Sequence, residues 1–122
     1  MRIELRSTLT EAAVLASAGA QVLYVAATQH QARNDFHEAL RLNLSACATR
    51  ILRANGNETI RYPGGGALRF GSPVTAGHIA RGRVLDAVSL PVPLLPLLEE
   101  LAPALATVAD AKVLCRPSPA RG

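Results

Sequence analysis

The sequence predicts an α/β fold, in which a layered sheet with a parallel core is flanked by helices and carries an antiparallel meander of three strands. The segment Gln21–Leu42 runs from a continuous apolar strand through one polar turn into an amphipathic helix. Such apolar strands are typical of parallel sheets covered on both faces. The strand-like segments between Arg50 and Phe70 have no helix between them, and a later apolar run leads into a leucine-rich helix. The predicted order is therefore α, β, α, three β, β, α, β.

The length and composition indicate one domain with a core of small aliphatic side chains. A chain of 122 residues is expected to bury roughly two-thirds of its unfolded surface. Hydrophobic residues make up 49% and charged residues 18%, which excludes a disordered class. We assign residues 1–115 to the domain and 116–122 to a flexible C-terminal tail rich in Pro and Ser. Aromatic residues are only 3%, which argues against a surface that stacks nucleic-acid bases.

The net charge of +4 favours an anionic partner only weakly. Lys112 is the single lysine among 13 basic residues, and the arginines are spread along the chain. Cys47 and Cys115 lack metal-ligand spacing and are predicted to be buried small side chains in a reducing compartment, although the sequence leaves a disulfide open. We find no leader pattern and no membrane span, so we expect a soluble, cytoplasmic protein without membrane contact.

The first elements are predicted from capping signals. Met1–Leu5 is expected to be a short edge strand or an ordered arm. Ser7 or Thr8 caps the first helix, and Glu11 stands where it would complete a capping box with Thr8. The helix is rich in alanine, which suits close packing on a sheet, and it is expected to end at Gly19.

The central strand is predicted over Val22–Ala27, and Thr28 supplies the N-cap hydroxyl of the second helix. Apolar residues recur on one side of that helix at roughly helical spacing. These residues are Ala32, Phe36, Ala39, Leu40 and Leu42.

Three short antiparallel strands are predicted next. Arg50–Ala54 and Thr59–Tyr62 are expected to pair through a tight hairpin at Asn55-Gly56-Asn57. Ala67–Phe70 forms the third strand. Gly64–Gly66 is interpreted as a turn and not as a phosphate-binding loop, because no helix follows it.

The segment Gly71–Gly82 is predicted to be a loop with one helical turn at Ala76–Ala80. The apolar Val84–Leu90 then forms a strand that contains Asp86.

Pro91 can occupy the start of the last helix, whose leucines extend over Leu94–Leu105. Pro103 is expected to kink or split that helix. Ala111–Cys115 is predicted to be the final strand.

The order of these elements and two of their segments resemble the ATPase domain of phage terminase large subunits, the motors that package DNA into capsids. The strongest likeness lies in Val22–Arg33, which reads VLYVAATQHQAR, and in His78–Arg83 before an apolar strand. The meander Ile51–Phe70 around a glycine turn and the closing Lys112–Cys115 strand agree in order and spacing. The resemblance implies a P-loop NTPase fold of the RecA-like type over nearly the whole chain.

The same resemblance implies a phosphate loop that ends in Gly-Lys-Ser/Thr and opens the first helix. Arg6, Ser7 and Thr8 occupy that position as a vestigial cofactor-binding site, with Arg6 where the lysine would stand. No glycine precedes them, and Glu4 places a negative charge where phosphate would lie. We therefore expect the chain to begin too late to form the loop.

An acidic pair is implied at the end of the apolar strand, where it would hold magnesium and position the nucleophile. Leu90, Pro91 and Val92 stand there, and Asp86 comes too early. We therefore expect no catalytic residues and no cofactor. Whether the chain is an enzyme is left uncertain, with the missing residues arguing against it.

The histidines give no metal site. His30 and His37 lie about two turns apart on one predicted helix, and no Cys or acidic residue completes a ligand set for them or for His78. We expect solvated or interface histidines and no metal.

Two surfaces are predicted to bind partners. The first is an anion or nucleic-acid site at the carboxyl edge of the sheet, where helicase-like relatives face nucleic acid. Its residues are Thr28, Gln29, Gln31, Arg33, Arg81 and Arg83. The second is the leucine-rich helix, whose apolar surface a partner protein or a second copy would cover.

Three functions remain open. We favour a non-catalytic, terminase-ATPase-like protein of phage or prophage origin that acts through protein interaction or regulation. The alternatives are a DNA-packaging ATPase fragment, whose missing residues a partner would have to supply, and a small DNA-binding accessory protein.

Overall fold

The computed structural model describes residues 2–54, 56–106, 108 and 110–117. These residues include seven strands and four α-helices. They are β1 (Arg2–Glu4), α1 (Leu9–Ser17), β2 (Gln21–Val25), α2 (Gln29–Arg41), β3 (Arg50–Leu52), β4 (Thr59–Arg61), β5 (Ala67–Gly71), α3 (Pro73–Ala80), β6 (Ala87–Pro91), α4 (Leu98–Leu105) and β7 (Lys112–Arg116).

The strands form one mixed sheet in the order β1-β7-β6-β2-β5-β4-β3. The five strands from β1 to β5 in that order are parallel, whereas β4 pairs antiparallel with both β5 and β3. The predicted parallel core with an antiparallel meander is therefore confirmed. Because the carboxyl ends of parallel strands meet at one edge, the segments that follow β1, β2, β5, β6 and β7 converge there.

Helices cover both faces of the sheet. Small side chains of α1 and the apolar side of α2 pack with Tyr24 and Phe70 in one core cluster. The α3 and α4 side chains pack with Leu23, Val88 and Leu90 in the other. The alanines of α1 allow so close an approach to the sheet that a Cβ on Gly66 would lie 1.9 Å from the carbonyl oxygen of Ala16.

The first two helix caps are confirmed. Thr8 accepts a hydrogen bond from the Glu11 amide at 3.2 Å, and Thr28 accepts one from the Gln31 amide at 3.0 Å. Each hydroxyl satisfies a donor that the first helical turn cannot pair internally.

The third helix corrects the prediction of a loop with one turn. It spans Pro73–Ala80, with Ser72 as N-cap and the Thr75 hydroxyl accepting the Ser72 amide at 2.9 Å. A capping residue followed by proline at the first helical position is a helix start. The glycine-rich composition of Gly71–Gly82 obscured this signal.

The leucine-rich segment also differs from the prediction. Pro91 ends β6, Val92–Leu97 forms a 3₁₀ helix, and α4 begins at Leu98 and continues through Pro103. The 3₁₀ helix contains Pro96, whose missing amide donor and ring disfavour a continuous α-helix. The predicted split at Pro103 is therefore wrong.

The leucines of this segment contribute to the core. Leu101 and Leu105 are buried, and the remaining ones pack against the same cluster as partly buried side chains. These are Leu94, Leu95, Leu97 and Leu98. Core packing thus accounts for the leucine content from which a docking surface was predicted.

The loop that connects β3 and β4 is longer than the predicted tight turn. Leu52 pairs with Thr59, so residues 53–58 connect the two strands, and the Asn57 amide donates to Ala54. Asn55, part of the predicted turn, lies outside the described residues.

Both cysteines are free, which excludes a disulfide between them in this structure. Cys115 is buried as predicted, and burial raises the pKa of its thiol. Cys47 is exposed, so its predicted burial is wrong. Within the described ranges, none of the helices has the length and apolar character that a membrane span requires.

Candidate functional site

A cavity of about 310 Å³ opens at the carboxyl edge of the sheet. It lies where β1, β2, β6 and β7 end, beside the first turns of α2, because parallel strands bring their carboxyl ends together. Its polar lining comes from β2, α2 and β7 and from the loop after β1. The residues are Ser7, Tyr24, Gln31, Asp35 and Arg116, with Pro91 and Pro117 among the apolar ones.

Arg116 is the most constrained of these side chains. Its Nη1 donates to the Ser89 hydroxyl at 2.6 Å, its Nη2 donates to the carbonyl of Val25, and its guanidinium lies 3.7 Å from the centre of the Tyr24 ring. Burial lowers the pKa of Arg116, while Tyr24 and Asp35 oppose that shift. The residue is the last of β7, so its predicted place in a flexible tail is wrong. Residues 118–122 of that tail lie outside the described part.

Tyr24, Asp35 and Gln31 form a hydrogen-bonded row beside Arg116. The Tyr24 hydroxyl donates to Asp35 Oδ2, and the side-chain amide of Gln31 donates through Nε2 to Asp35 Oδ1, both at 2.8 Å. Burial, helped by the Asp35 carboxylate, raises the pKa of Tyr24 well above its usual value. Tyr24 is therefore a neutral donor at physiological pH, and Asp35 is already paired at both oxygens.

The predicted vestigial phosphate position contributes one residue to the cavity. Arg6 is exposed, with a φ of 61°, and Thr8 uses its hydroxyl as the α1 cap. Ser7 is 2% exposed, its amide donates to the Cys115 carbonyl, and its hydroxyl finds no partner in the described structure. Only Ser7 thus lines the cavity.

The residues present do not fit a magnesium nucleotide. Pro91 ends β6 at the cavity. Asp86 precedes β6 at the opposite edge, where its carboxylate accepts the Gln21 amide at 2.7 Å. Asp35 is occupied by Tyr24 and Gln31, and the segment Arg2–Thr8 offers no glycine. Metal binding needs a free carboxylate close to the phosphates.

The structure divides the predicted anion site. Thr28 caps α2, Gln31 binds Asp35, and Arg33 Nε lies 3.2 Å from a carboxylate oxygen of Glu58. Glu58 is only 1% exposed, so it holds the charge of Arg33 at the sheet surface. The side-chain amide of Gln29 is buried without a hydrogen-bond partner in the described residues.

Arg81 and Arg83 lie at the other end of the sheet. They follow α3 and precede β6, which runs parallel to β2, so they stand at the amino edge. The prediction that they join Thr28 at the carboxyl edge is therefore wrong. The reason is that Pro73–Ala80 is a full helix, which carries the chain back across the sheet before Arg81.

A group of arginines that was not predicted from the sequence lies near this amino edge. Arg50 is directly opposite Arg61 in the meander, and Arg69 follows on β5 on the same face. Burial lowers the pKa of Arg69, and the charges of Arg83 and Arg61 lower it further. We call Arg50, Arg61, Arg69 and Arg83 the arginine surface. The three ion pairs found among the described residues involve none of the four.

Alternation along the predicted strands carries part of the signal for the arginine surface. Arg61 and Arg69 are separated in sequence, but inward and outward positions alternate along each predicted strand. Adding the register of three consecutive antiparallel strands would have brought Arg50, Arg61 and Arg69 to one face. That register is not evident from the residues alone.

The three histidines are exposed. In the part of the chain that the structure describes, no three His, Cys, Asp or Glu side chains come together in a group that could hold a metal.

Comparisons with known proteins support the fold. No family model and no curated protein matches the sequence. The large terminase of a thermophilic bacteriophage matches in structure over 98% of this chain and 33% of its own, with a TM-score of 0.61 and 18% identity. The complex of that terminase with ADP matches over 97% of this chain and 33% of its own, with a TM-score of 0.57 and 16% identity.

The ATPase domain of the large terminase of Thermus phage P74-26 matches over 98% of this chain and 60% of its own, with a TM-score of 0.56 and 18% identity. The chain thus spans from a third to three-fifths of the length of these proteins. At these identities the likeness concerns the fold. The fold expected from the resemblance is confirmed: this chain has the P-loop NTPase-like α/β fold of phage large-terminase ATPase domains.

Proposed function

We propose that the chain is a non-catalytic, terminase-ATPase-like protein of phage or prophage origin that acts in the host cytoplasm through protein interaction or regulation. The observation that carries the proposal is Arg116, whose guanidinium occupies the edge of the cavity where β6 ends in Pro91. The fold supplies the place for a nucleotide, but the side chains at that place bind one another.

The energetics favour the closed network over a bound nucleotide. Arg116 donates to Ser89 and Val25 and lies over the Tyr24 ring. Hydrogen bonds that involve a charged group contribute about 1.5–3 kcal/mol each. A nucleotide would have to replace these bonds. Its phosphates would also approach the negatively charged Asp35 carboxylate, and no free carboxylate among the described residues of the cavity would hold a magnesium ion to offset the repulsion. Phosphoryl transfer relies on positioning and on charge stabilisation, and the guanidinium of Arg116 already donates to groups of the chain itself.

The test is calorimetric titration of ATP and of ADP, each with magnesium, into the purified chain. We expect binding weaker than millimolar and no hydrolysis. Arg116→Ala removes the guanidinium from the cavity, and Arg41→Ala is the matched control because Arg41 is exposed and its side chain pairs with Glu38. Micromolar binding by the wild type would contradict the proposal, and a loss of that binding in Arg116→Ala but not in the control would place the nucleotide in this cavity.

A small DNA-binding accessory protein is the second candidate, and the arginine surface favours it. Four guanidiniums share one region without an acidic partner in the ion pairs described. None of the four aromatic residues is exposed, so stacking on bases contributes nothing. Binding would then run through phosphates and be independent of sequence.

Duplex binding measured against salt concentration tests this second function. Removing one phosphate contact should reduce the slope of log K against log salt by about one. Arg61→Ala and Arg83→Ala should each do so, while Arg41→Ala should not. A chain that binds no duplex at low salt would exclude this function.

The third hypothesis, an active DNA-packaging ATPase fragment, needs a partner chain that supplies glycines, lysine and an acidic pair.

A further inference from the structure

The open edge of the sheet at β1 has unpaired backbone groups. The Arg2 amide donates to the Ala111 carbonyl of β7, and Arg2 and Glu4 pair in register with Lys112 and Leu114. In a parallel pair, alternate residues direct both backbone groups to the same neighbour. The N–H and C=O of Ile3 therefore point away from β7, where the sheet has no further strand among the described residues.

Apolar side chains surround this edge. Ile3 is 57%, Leu5 is 72% and Val14 is 58% exposed, and these are three of the seven large hydrophobic residues that are exposed in the described structure. Ile3 shares a face with its register partner Val113. Val14 belongs to α1 and lies on the other face, where it lines a groove of about 230 Å³ together with Glu4 and Lys112.

The charges of β1 are complementary to a second copy of the same strand. In an antiparallel pair centred on Ile3, Arg2 of each copy lies opposite Glu4 of the other. Opposite charges across a strand pair stabilise it, whereas parallel pairing in register would oppose Arg2 with Arg2. Glu4 is held at the edge by Lys112, at 3.9 Å, so its carboxylate is placed to receive the second charge.

We propose that β1 is the interface of a two-fold dimer, in which two sheets join through antiparallel β1 strands. Each Ile3 exchanges both backbone hydrogen bonds with its counterpart, and the exposed apolar side chains flank the seam. A two-fold axis makes the same patch serve both subunits. The dimer names one partner for the interaction role proposed above and rests on that role.

The opposite edge does not have this complementarity. An antiparallel pair centred on Ile51 of β3 would place Arg50 opposite Leu52 and would bring two arginine surfaces close together. The resulting repulsion protects β3 from self-pairing, as edge charges commonly do.

Light scattering from micromolar to millimolar protein, with single and exchanged charges, tests the dimer. We expect the wild type to dimerise. Arg2→Glu sets two acidic residues against each other at both symmetry-related positions, and the dissociation constant should rise at least about tenfold. Arg50→Glu makes the same change on the other edge strand and should leave the mass unchanged.

Mixing two charge variants is the decisive experiment. Arg2→Glu and Glu4→Arg should each be mainly monomeric, and their equimolar mixture should dimerise because one strand is then wholly acidic at these positions and the other wholly basic. The double variant should dimerise by itself. Circular dichroism checks each fold, since Glu4→Arg also removes the ion pair with Lys112.

A measurement on the wild type makes the test independent of variants. Hydrogen exchange at the Ile3 amide should slow as protein concentration rises. A wild type that stays monomeric, a dimer insensitive to Arg2→Glu, or Ile3 exchange independent of concentration would each overturn the dimer. A monomer that also binds no nucleotide would leave the non-catalytic function standing with a different partner.

Discussion

Two arginines are withdrawn from water at opposite ends of the sheet, and their surroundings differ. Arg116 at the carboxyl edge meets a hydroxyl, a carbonyl and an aromatic ring, and Tyr24 and Asp35 favour its charge. Arg69 meets the side chain of Gln21, and its charged neighbours are Arg83 and Arg61. The neighbouring charges offset part of the cost of burial at Arg116 and add to that cost at Arg69. A partly buried charge is therefore better tolerated where its neighbours supply hydrogen-bond acceptors and opposite charge.

Replacing Arg116 by Ala should have the largest effect on this comparison. The change removes two charged hydrogen bonds and a cation–π contact, and we expect the free energy of unfolding to fall by about 3 kcal/mol. Urea denaturation measures the change. Arg116→Lys should recover only part of the stability, because an ammonium cannot reach both acceptors with the geometry of a planar guanidinium.

The contrast with the control is what matters for Arg116. Arg41→Ala, at an exposed position, should leave the free energy of unfolding nearly unchanged. Equal decreases in the free energy of unfolding for Arg116→Ala and Arg41→Ala would contradict the view that the contacts of Arg116 at the carboxyl edge stabilise the fold.

Alkaline pH should have the next largest effect, through Tyr24 at the carboxyl edge and through Tyr62, the residue after β4. Burial raises the pKa of Tyr24 strongly and that of Tyr62 to about 12, both above the usual value near 10. The folded state thus keeps these protons when the unfolded state releases them. Their contribution is complete below pH 10 and falls as pH rises toward 12, at up to about 1.4 kcal/mol per pH unit for each tyrosine.

Denaturation between pH 9 and 12 measures this slope, and the two tyrosines can be separated by substitution. Tyr24→Phe removes the hydroxyl that donates to Asp35 and should reduce the slope of stability against pH by the contribution of Tyr24. Tyr62→Phe removes the hydroxyl that donates to Leu44 and should reduce the slope by the contribution of Tyr62. An unchanged slope in Tyr24→Phe would show that this hydroxyl titrates normally.

Replacing Arg69 by Met should have the smallest effect and could sharpen the comparison most. The variant keeps an apolar stem, relieves the repulsion from Arg61 and Arg83, and removes one hydrogen bond to Gln21. We expect the free energy of unfolding to stay within about 0.5 kcal/mol of the wild type. Added salt should stabilise the wild type more than the variant, because it screens the repulsion.

A decrease as large as that of Arg116→Ala would contradict this prediction for Arg69. It would mean that the two arginines are equally integrated and that the amino edge has an acceptor besides Gln21.

Much of the fold could be predicted from the sequence because local signals and burial agree there. The apolar run of β2 and the hydroxyls of Thr8 and Thr28 act on neighbouring residues, so the sequence alone locates them. The parallel core followed from the same run. The helix α3 was missed because Gly77 and the surrounding small residues hide the start signal at Ser72-Pro73.

The candidate site was less predictable because its contacts are distant in sequence. Arg116 reaches Val25 and Ser89 across three strands of the sheet, and nothing near Arg116 in the chain indicates those partners. Its neighbours Pro117 and Ser118 suggested a tail instead. Arg83 and Arg69 likewise meet only through the sheet order, since α3 lies between them in the chain.

The pairing of β1 with β7 joins nearly the first and nearly the last described residues of the chain, with Arg2 opposite Lys112. During synthesis on the ribosome, β1 therefore emerges long before its partner exists. Contacts of such large sequence separation slow folding and leave early segments exposed. Every folding intermediate in which β2, β5 and β6 have already assembled should still have an unpaired Arg2–Leu5 segment. This edge of the sheet can be completed only after β7 has left the ribosome and paired with β6.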